Sequence, residues 1–366
     1  MKRIATVIIV FFFAYNAKAQ FVSLNRTELA NLKLVIERDT AAREFVKPFQ
    51  RLAERALNEQ PNPIEVIASQ GLLMGDPAKT ESLKAVQDVP KIYSLALCYK
   101  LEGDEKYLKK ATEFLSAWAR VNKPNGNPVN ETKLEDAVVA YDLIRQDISV
   151  AERKLIDGWL AKMADAEVDH SSAKGNRGTA VNNWNSHRIK VITQIAYTLK
   201  NKKYYPVIEK ELRKQLYNNL NEDGSTYDFL ERDALNYHIF SIEPLLKAII
   251  VLHRATGKNY FAIESEKKGS VKKSVEFLIP FMTGQKKHQE YRNSKVPFDR
   301  QRASNNEKGY QVADFIPSKG IVALSVAAYF NPEYVETIKT ASPKGSEYQD
   351  WQLLLNQVRT SNKNLK

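Results

Sequence analysis

Two stretches of this chain gather side chains that could do chemistry. The first, Gly175-Asn176-Arg177-Gly178-Thr179-Ala180-Val181-Asn182-Asn183-Trp184-Asn185-Ser186-His187, is a polar loop running into a helix start. If the segment is helical, Asn183 and His187 are four residues apart and share a face. Capping accounts for one of these asparagines, but not for three amides and an imidazole together. The second stretch, Asp223 to Phe240, opens with the turn Asp223-Gly224-Ser225 and carries Arg232, Tyr237 and His238 before an apolar helix. Taken singly, Tyr237 reads as a core aromatic, Arg232 as the surface partner of Asp228, and His238 as a satisfied buried histidine. Taken with the first stretch, they read as a site. Amides and imidazoles donate hydrogen bonds, and a guanidinium pairs bidentately with a carboxylate. The chemistry on offer is recognition of an anionic group beside residues able to move a proton.

The elements that must carry these stretches are helices. Apolar periodicity predicts helices over 27–38, 41–59, 90–102, 105–120, 131–145, 150–168, 181–199, 205–219, 229–255, 271–283 and 345–358. Strand-like alternation is scarce, and any sheet is expected after about residue 285. A weak repeat recurs: an apolar helix, a short polar turn, an aromatic (Tyr107, Tyr204, Tyr260), then an amphipathic return. Short loops force such pairs antiparallel, and repeated pairs imply a solenoid or a closed (α/α) toroid. The expectation is all-α, with residues 20–366 as a single domain.

Residues 1–19 read as a secretory signal. Lys2 and Arg3 precede an apolar run, and Ala17-Lys18-Ala19 supplies the small residues of a cleavage site before Gln20. No later stretch reads as a membrane span. The formal charge is +12, of which Lys2, Arg3 and Lys18 supply three, leaving +9 on the mature chain. A basic exported protein suits a polyanion, and export favours an anionic glycan over nucleic acid. The single cysteine, Cys98, sits in an apolar run and is expected to be a buried thiol. No Cys/His cluster, HExxH pattern or EF-hand loop is present, so no metal or cofactor is expected.

Together the two stretches resemble the alginate lyase superfamily of helical toroids. There an Asn-Asn-His helix start precedes Arg-Ala-Leu-x-Tyr-His-x-Tyr. Here the counterparts are Asn182-Asn183-Trp184 and Ala234-Leu235-Asn236-Tyr237-His238-Ile239-Phe240. Asn183-Trp184 and Asp223-Gly224-Ser225 also echo the helical domain of chondroitin and hyaluronan lyases. Val89-Pro90-Lys91-Ile92-Tyr93 and Ala140-Tyr141-Asp142-Leu143-Ile144 extend the likeness over roughly residues 70–260. The chain departs at three points. Trp184 stands where the family has its histidine, with His187 three residues on. Phe240 stands where the family has its tyrosine, with Tyr237 three residues back. Arg232 is offset by one. Three residues is close to one helical turn, so a displaced group can reach the same cleft.

The resemblance implies a polysaccharide lyase acting on alginate or a related polyuronate by β-elimination. Such an enzyme neutralises the uronate carboxylate, removes the C5 proton and expels O4. Asn183 and His187 are then the expected donors to the carboxylate. Arg232 is the expected partner of a sugar acid. Tyr237 is the expected base, acid or both, with its phenolate favoured by nearby Arg232 and a protonated histidine. His187 or His238 is an alternative base. Asn182, Trp184 and Tyr141 are expected to bind substrate, with Lys84 and Gln87 in one polar segment and Arg300 and Arg302 in another lining a groove. Two other readings use the same features. A glycoside hydrolase on this fold would need paired carboxylates, for which Asp228, Glu231 and Asp142 are available. A non-catalytic glycan-binding protein would keep the basic cleft without turnover.

Overall fold

The computed structural model describes residues 20–175, 177–342 and 350–360. The expected export signal therefore lies outside the described residues, as does the start of the helix expected over 345–358, which is described as Trp351–Thr360.

Four antiparallel hairpins form most of the ring: Asp88–Glu102 with Glu105–Val121, Glu135–Ile144 with Val150–Asp169, Asn183–Leu199 with Tyr205–Asn218, and Leu235–Thr256 with Val271–Met282. The leading helices pack side by side as an inner layer, continuing from Leu235–Thr256 to Ile321–Ala327. Trp351–Thr360, Arg26–Arg38 and Thr40–Ala56 bring the ring back to Asp88–Glu102. This is an all-helical toroid. Among the described residues, the sheet is one antiparallel pairing of Gln289–Glu290 with Ala313–Asp314.

Inner position explains the composition of the leading helices. Asn183–Leu199 buries all of its residues except Trp184 and Leu199, because neighbours cover it on both flanks. Leu235–Thr256 is long and apolar enough to cross a membrane by length and composition alone. This corrects the expectation that no stretch beyond the leader has that character, and the helix lies mostly buried in the protein. Cys98 is buried in the inner helix Asp88–Glu102, and burial pushes its thiol up to about 12.

Two departures from the expected helices matter for the site. The segment expected as one helix over 229–255 breaks into Tyr227–Arg232 and Leu235–Thr256. Asp233, between them, has φ 48°, a left-handed conformation that aspartate tolerates better than most side chains. Its carboxylate accepts from the Asn293 backbone N–H and side-chain amide, both at 2.9 Å, which holds the break in place. The helices Pro77–Ala85 and Pro297–Ser304 were not anticipated. The first carried a legible signal, since Asp76 caps it and Pro77 occupies its first turn.

Candidate active site

Asn183 opens its helix beneath a cavity of about 220 Å³. Its side-chain amide donates to Asp228 Oδ1 at 2.5 Å, and its backbone N–H reaches the same oxygen at 3.1 Å. The other Asp228 oxygen accepts from Asn219 Nδ2 at 2.9 Å. Asp228 is thus a buried anchor that fixes Asn183. An amide nitrogen carries two hydrogens, so Asn183 keeps one for a ligand in the cavity. Trp184, the next residue, lines the same cavity. Asn182 does not line it; its side chain caps the helix by accepting from the Trp184 N–H at 3.0 Å.

The break at Asp233 brings Arg232 and Tyr237 together. On one continuous helix, residues five apart point to different faces. Here the Arg232 guanidinium lies 3.9 Å from the Tyr237 ring centre, and it is ion-paired with buried Asp299. The expected Arg232–Asp228 pairing is therefore replaced by one to a residue 67 positions along. Arg302 Nη1 donates to the Tyr237 hydroxyl at 3.1 Å and to the Tyr310 hydroxyl at 2.6 Å. Burial pushes the Tyr310 hydroxyl above its ordinary value, which keeps it protonated.

Four cations line the cavity: Lys79, Lys133, Arg232 and Arg302. Among the described lining residues none is a carboxylate. Just outside, Glu307 lies 3.4 Å from Lys79 and 3.7 Å from Arg302, and it also accepts from the Met74 N–H at 2.6 Å. It ties the start of the Pro77–Ala85 helix to the chain after Pro297–Ser304.

Several expected site residues lie elsewhere. His187 is buried one turn below Asn183, behind Phe240, with ring centres 4.3 Å apart. Its Nδ1 lies 3.0 Å from the Thr132 hydroxyl, while Nε2 has no hydrogen-bond partner among the described residues. Burial, followed by the positive charge of Lys190, pushes it well below its ordinary value, so this imidazole is neutral. The expectation of a protonated histidine beside Tyr237 is corrected accordingly. His238 is fully buried between Ser274 and Thr226. Its Nε2 donates to the Ser274 carbonyl at 2.8 Å, and its Nδ1, 3.1 Å from Thr226 Oγ1, is left to accept. It has no free nitrogen to act as a base in the cavity. Tyr141 is buried against Asp157, to which its hydroxyl donates at 2.6 Å. Lys84 and Gln87 are exposed and turn away; Lys79 and Leu83 of the same helix supply the lining instead. Arg300 is exposed and donates to the Ser294 carbonyl at 2.9 Å, leaving Arg302 as the member of that pair in the cavity.

The carboxylates a hydrolase would need are also spent. Asp142 is buried and accepts from Ser23 through its N–H at 2.9 Å and through its hydroxyl at 2.5 Å. Glu231 faces Lys295 at 3.4 Å. Among the described residues, no group of three His, Cys, Asp or Glu is placed to hold a metal ion.

A ring of helical hairpins around a cationic cavity that holds a phenol and an anchored amide is the arrangement of a toroid polysaccharide lyase. The alginate lyase family profile matches residues 39–288. An alginate lyase from Bacteroides ovatus superposes with a TM-score of 0.66 at 15% identity, covering 93% of this chain and 98% of that one. Alginate lyase A1-III from Sphingomonas species A1 gives 0.59 at 15%, covering 86% and 90%. A form of A1-III complexed with a tetrasaccharide gives 0.54 at 17%, covering 71% and 77%. At these identities the structural likeness is one of fold. Comparison with curated proteins finds no match. With its profile spanning most of the sequence, this chain belongs to the alginate lyase family.

Proposed function

We propose that the chain cleaves alginate, or a closely related polyuronate, by β-elimination in the cavity around Tyr237. The observation that carries this reading is a cavity with four cations and no carboxylate among its described lining residues. A hydrolase would need two acids across the scissile bond. A lyase needs the opposite, a surface that quenches the sugar acid so that its C5 proton can leave.

In this mechanism Asn183 gives its remaining N–H to the uronate carboxylate. The Tyr237 oxygen takes the C5 proton, and the electrons of that C–H bond form the C4–C5 double bond as the C4–O4 bond breaks. Tyr237 does this as the phenolate and becomes the phenol, and Arg302, hydrogen-bonded to it, and Arg232, on its ring face, are the cations beside that oxygen before transfer. Tyr310, which shares Arg302 with Tyr237, is the proposed acid that protonates O4. Trp184 offers an apolar face to a sugar ring.

We also propose that the protein is exported, with residues 1–19 removed. Val22, Ser23 and Leu24 are buried just beyond the expected cut, so Gln20 is close to the last place at which cleavage spares the fold. N-terminal sequencing of protein secreted by an expression host tests this, with Gln20 expected first.

The decisive assay is near-ultraviolet absorbance on polymannuronate, polyguluronate, glucuronan and glycosaminoglycans. A lyase product carries a conjugated C4–C5 double bond and absorbs; a hydrolase product does not. Reducing ends appearing without absorbance would overturn the reading, as would binding of a polyuronate with no turnover.

A further inference from the structure

Of the four cations in the cavity, three are already engaged with carboxylates. Arg232 pairs with Asp299, while Lys79 and Arg302 lie beside Glu307. Lys133 differs. Its amine donates to the Val129 carbonyl at 3.0 Å, one turn back on its own segment. Among the described residues no carboxylate stands within ion-pair distance of it. It lies in the single helical turn Thr132–Leu134, between the Pro128–Glu131 and Glu135–Ile144 helices.

An amine held against a cavity wall with no counter-ion is unfavourable unless something supplies the missing charge. We infer that Lys133 receives the carboxylate of the uronate that loses its C5 proton, as that group's principal counter-ion. This rests on the polyuronate reading above and assigns the positive charge that Asn183, a neutral donor, cannot provide. The surroundings agree. Charged groups facing Lys133 are Lys79, Lys190 and Arg302. Nearby Glu135 is taken up by Lys190 at 2.5 Å and Lys247 at 3.0 Å. Glu307 is held by Lys79, and His187 is neutral. Burial, then those three cations, push the Lys133 amine down to about 8. An arriving carboxylate would offset both effects, because an opposite charge nearby favours the protonated amine.

The test uses Lys133→Met and Lys133→Arg. In a Tyr237→Phe background, calorimetry measures binding of a saturated oligouronate and of the same oligosaccharide with its carboxyls reduced to alcohols. Lys133→Met is expected to weaken the acidic ligand at least about tenfold and the reduced one less than about twofold. In the active enzyme, kcat/KM is expected to fall as pH rises through about 8, because the amine loses its charge. Lys133→Arg should move that fall upward by at least about one pH unit, since a guanidinium stays charged. Equal losses for both ligands would make Lys133 structural and overturn the inference. So would a fall that stays at the same pH in Lys133→Arg as in wild type, which would place that titration on another group. A wild-type enzyme active on polyuronates beside an unaffected Lys133→Met would sink this inference alone. Wild-type protein silent on every polyuronate would remove the reading beneath it as well.

Discussion

Asn183 and His238 were both candidate site residues by the polar company they keep in the chain, and the structure separates them. Asn183 is anchored from behind by Asp228 and faces the cavity. His238 is bonded through both nitrogens inside the protein. Tyr237→Phe and Asn183→Ala are each expected to lower kcat at least about a hundredfold with an unchanged circular dichroism spectrum. Near-wild-type rates in both would dismiss the site. Asp228→Ala strands the donors of Asn183 and Asn219 and is expected to cost about 1–3 kcal/mol as well as activity, read from the urea midpoint. His238 carries a pH signature of its own. Burial holds it at about 4, against 6.5 for a free histidine. The unfolded chain therefore binds the extra proton first, so this contribution is complete above pH 6.5 and lost as pH falls toward 4, up to about 3 kcal/mol. Urea unfolding should show His238→Gln less stable than wild type at pH 7.5, with the gap narrowing by pH 4.5. A gap that widens on acidification would contradict the buried neutral assignment.

At the scale of elements, the site is made where helices stop. The left-handed Asp233 turns Arg232 back onto Tyr237, and the 122–130 loop delivers the short turn that carries Lys133. Gly126 in that loop has φ +79°, and a Cβ there would meet the Ala166 carbonyl oxygen at 2.2 Å. Gly126→Ala combines backbone strain with a clash against a rigid helix end, so a loss of about 2 kcal/mol or more is expected in chemical denaturation. The expected helix over 131–145 begins instead with Pro128–Glu131 and a tighter turn before Glu135–Ile144. Apolar spacing alone continues smoothly through that junction, which is why the interruption was hidden. Asn130 lies inside Pro128–Glu131. Its side-chain Oδ1 accepts from the Ser69 N–H and hydroxyl and from the Gln70 N–H, fixing the stretch of chain that borders the cavity.

Across the whole molecule, the excess positive charge and the cationic cavity point the same way. Raising salt from about 0.05 to 0.5 M is expected to increase KM for a polyuronate severalfold while kcat changes little, because screening acts on capture rather than on contacts inside the cavity. A salt-independent KM would mean that the surface charge plays no part in capture. The all-helical ring was legible from the chain itself. Apolar runs such as Val191 to Leu199 recur at helical spacing with short polar turns between them, and both properties are local. The stretches holding Asn183, Arg232 and Tyr237 were legible for the same reason, since residue types cluster there within a few turns. Tertiary structure alone decided which cations are free and which histidines are spent. Arg232 finds Asp299, Lys79 finds Glu307, and Arg302 reaches Tyr237 across separations of tens to hundreds of residues. Periodicity along a chain reports which face of a helix is buried. It carries no record of what another segment places against that face, and the chemistry of this cavity is set there.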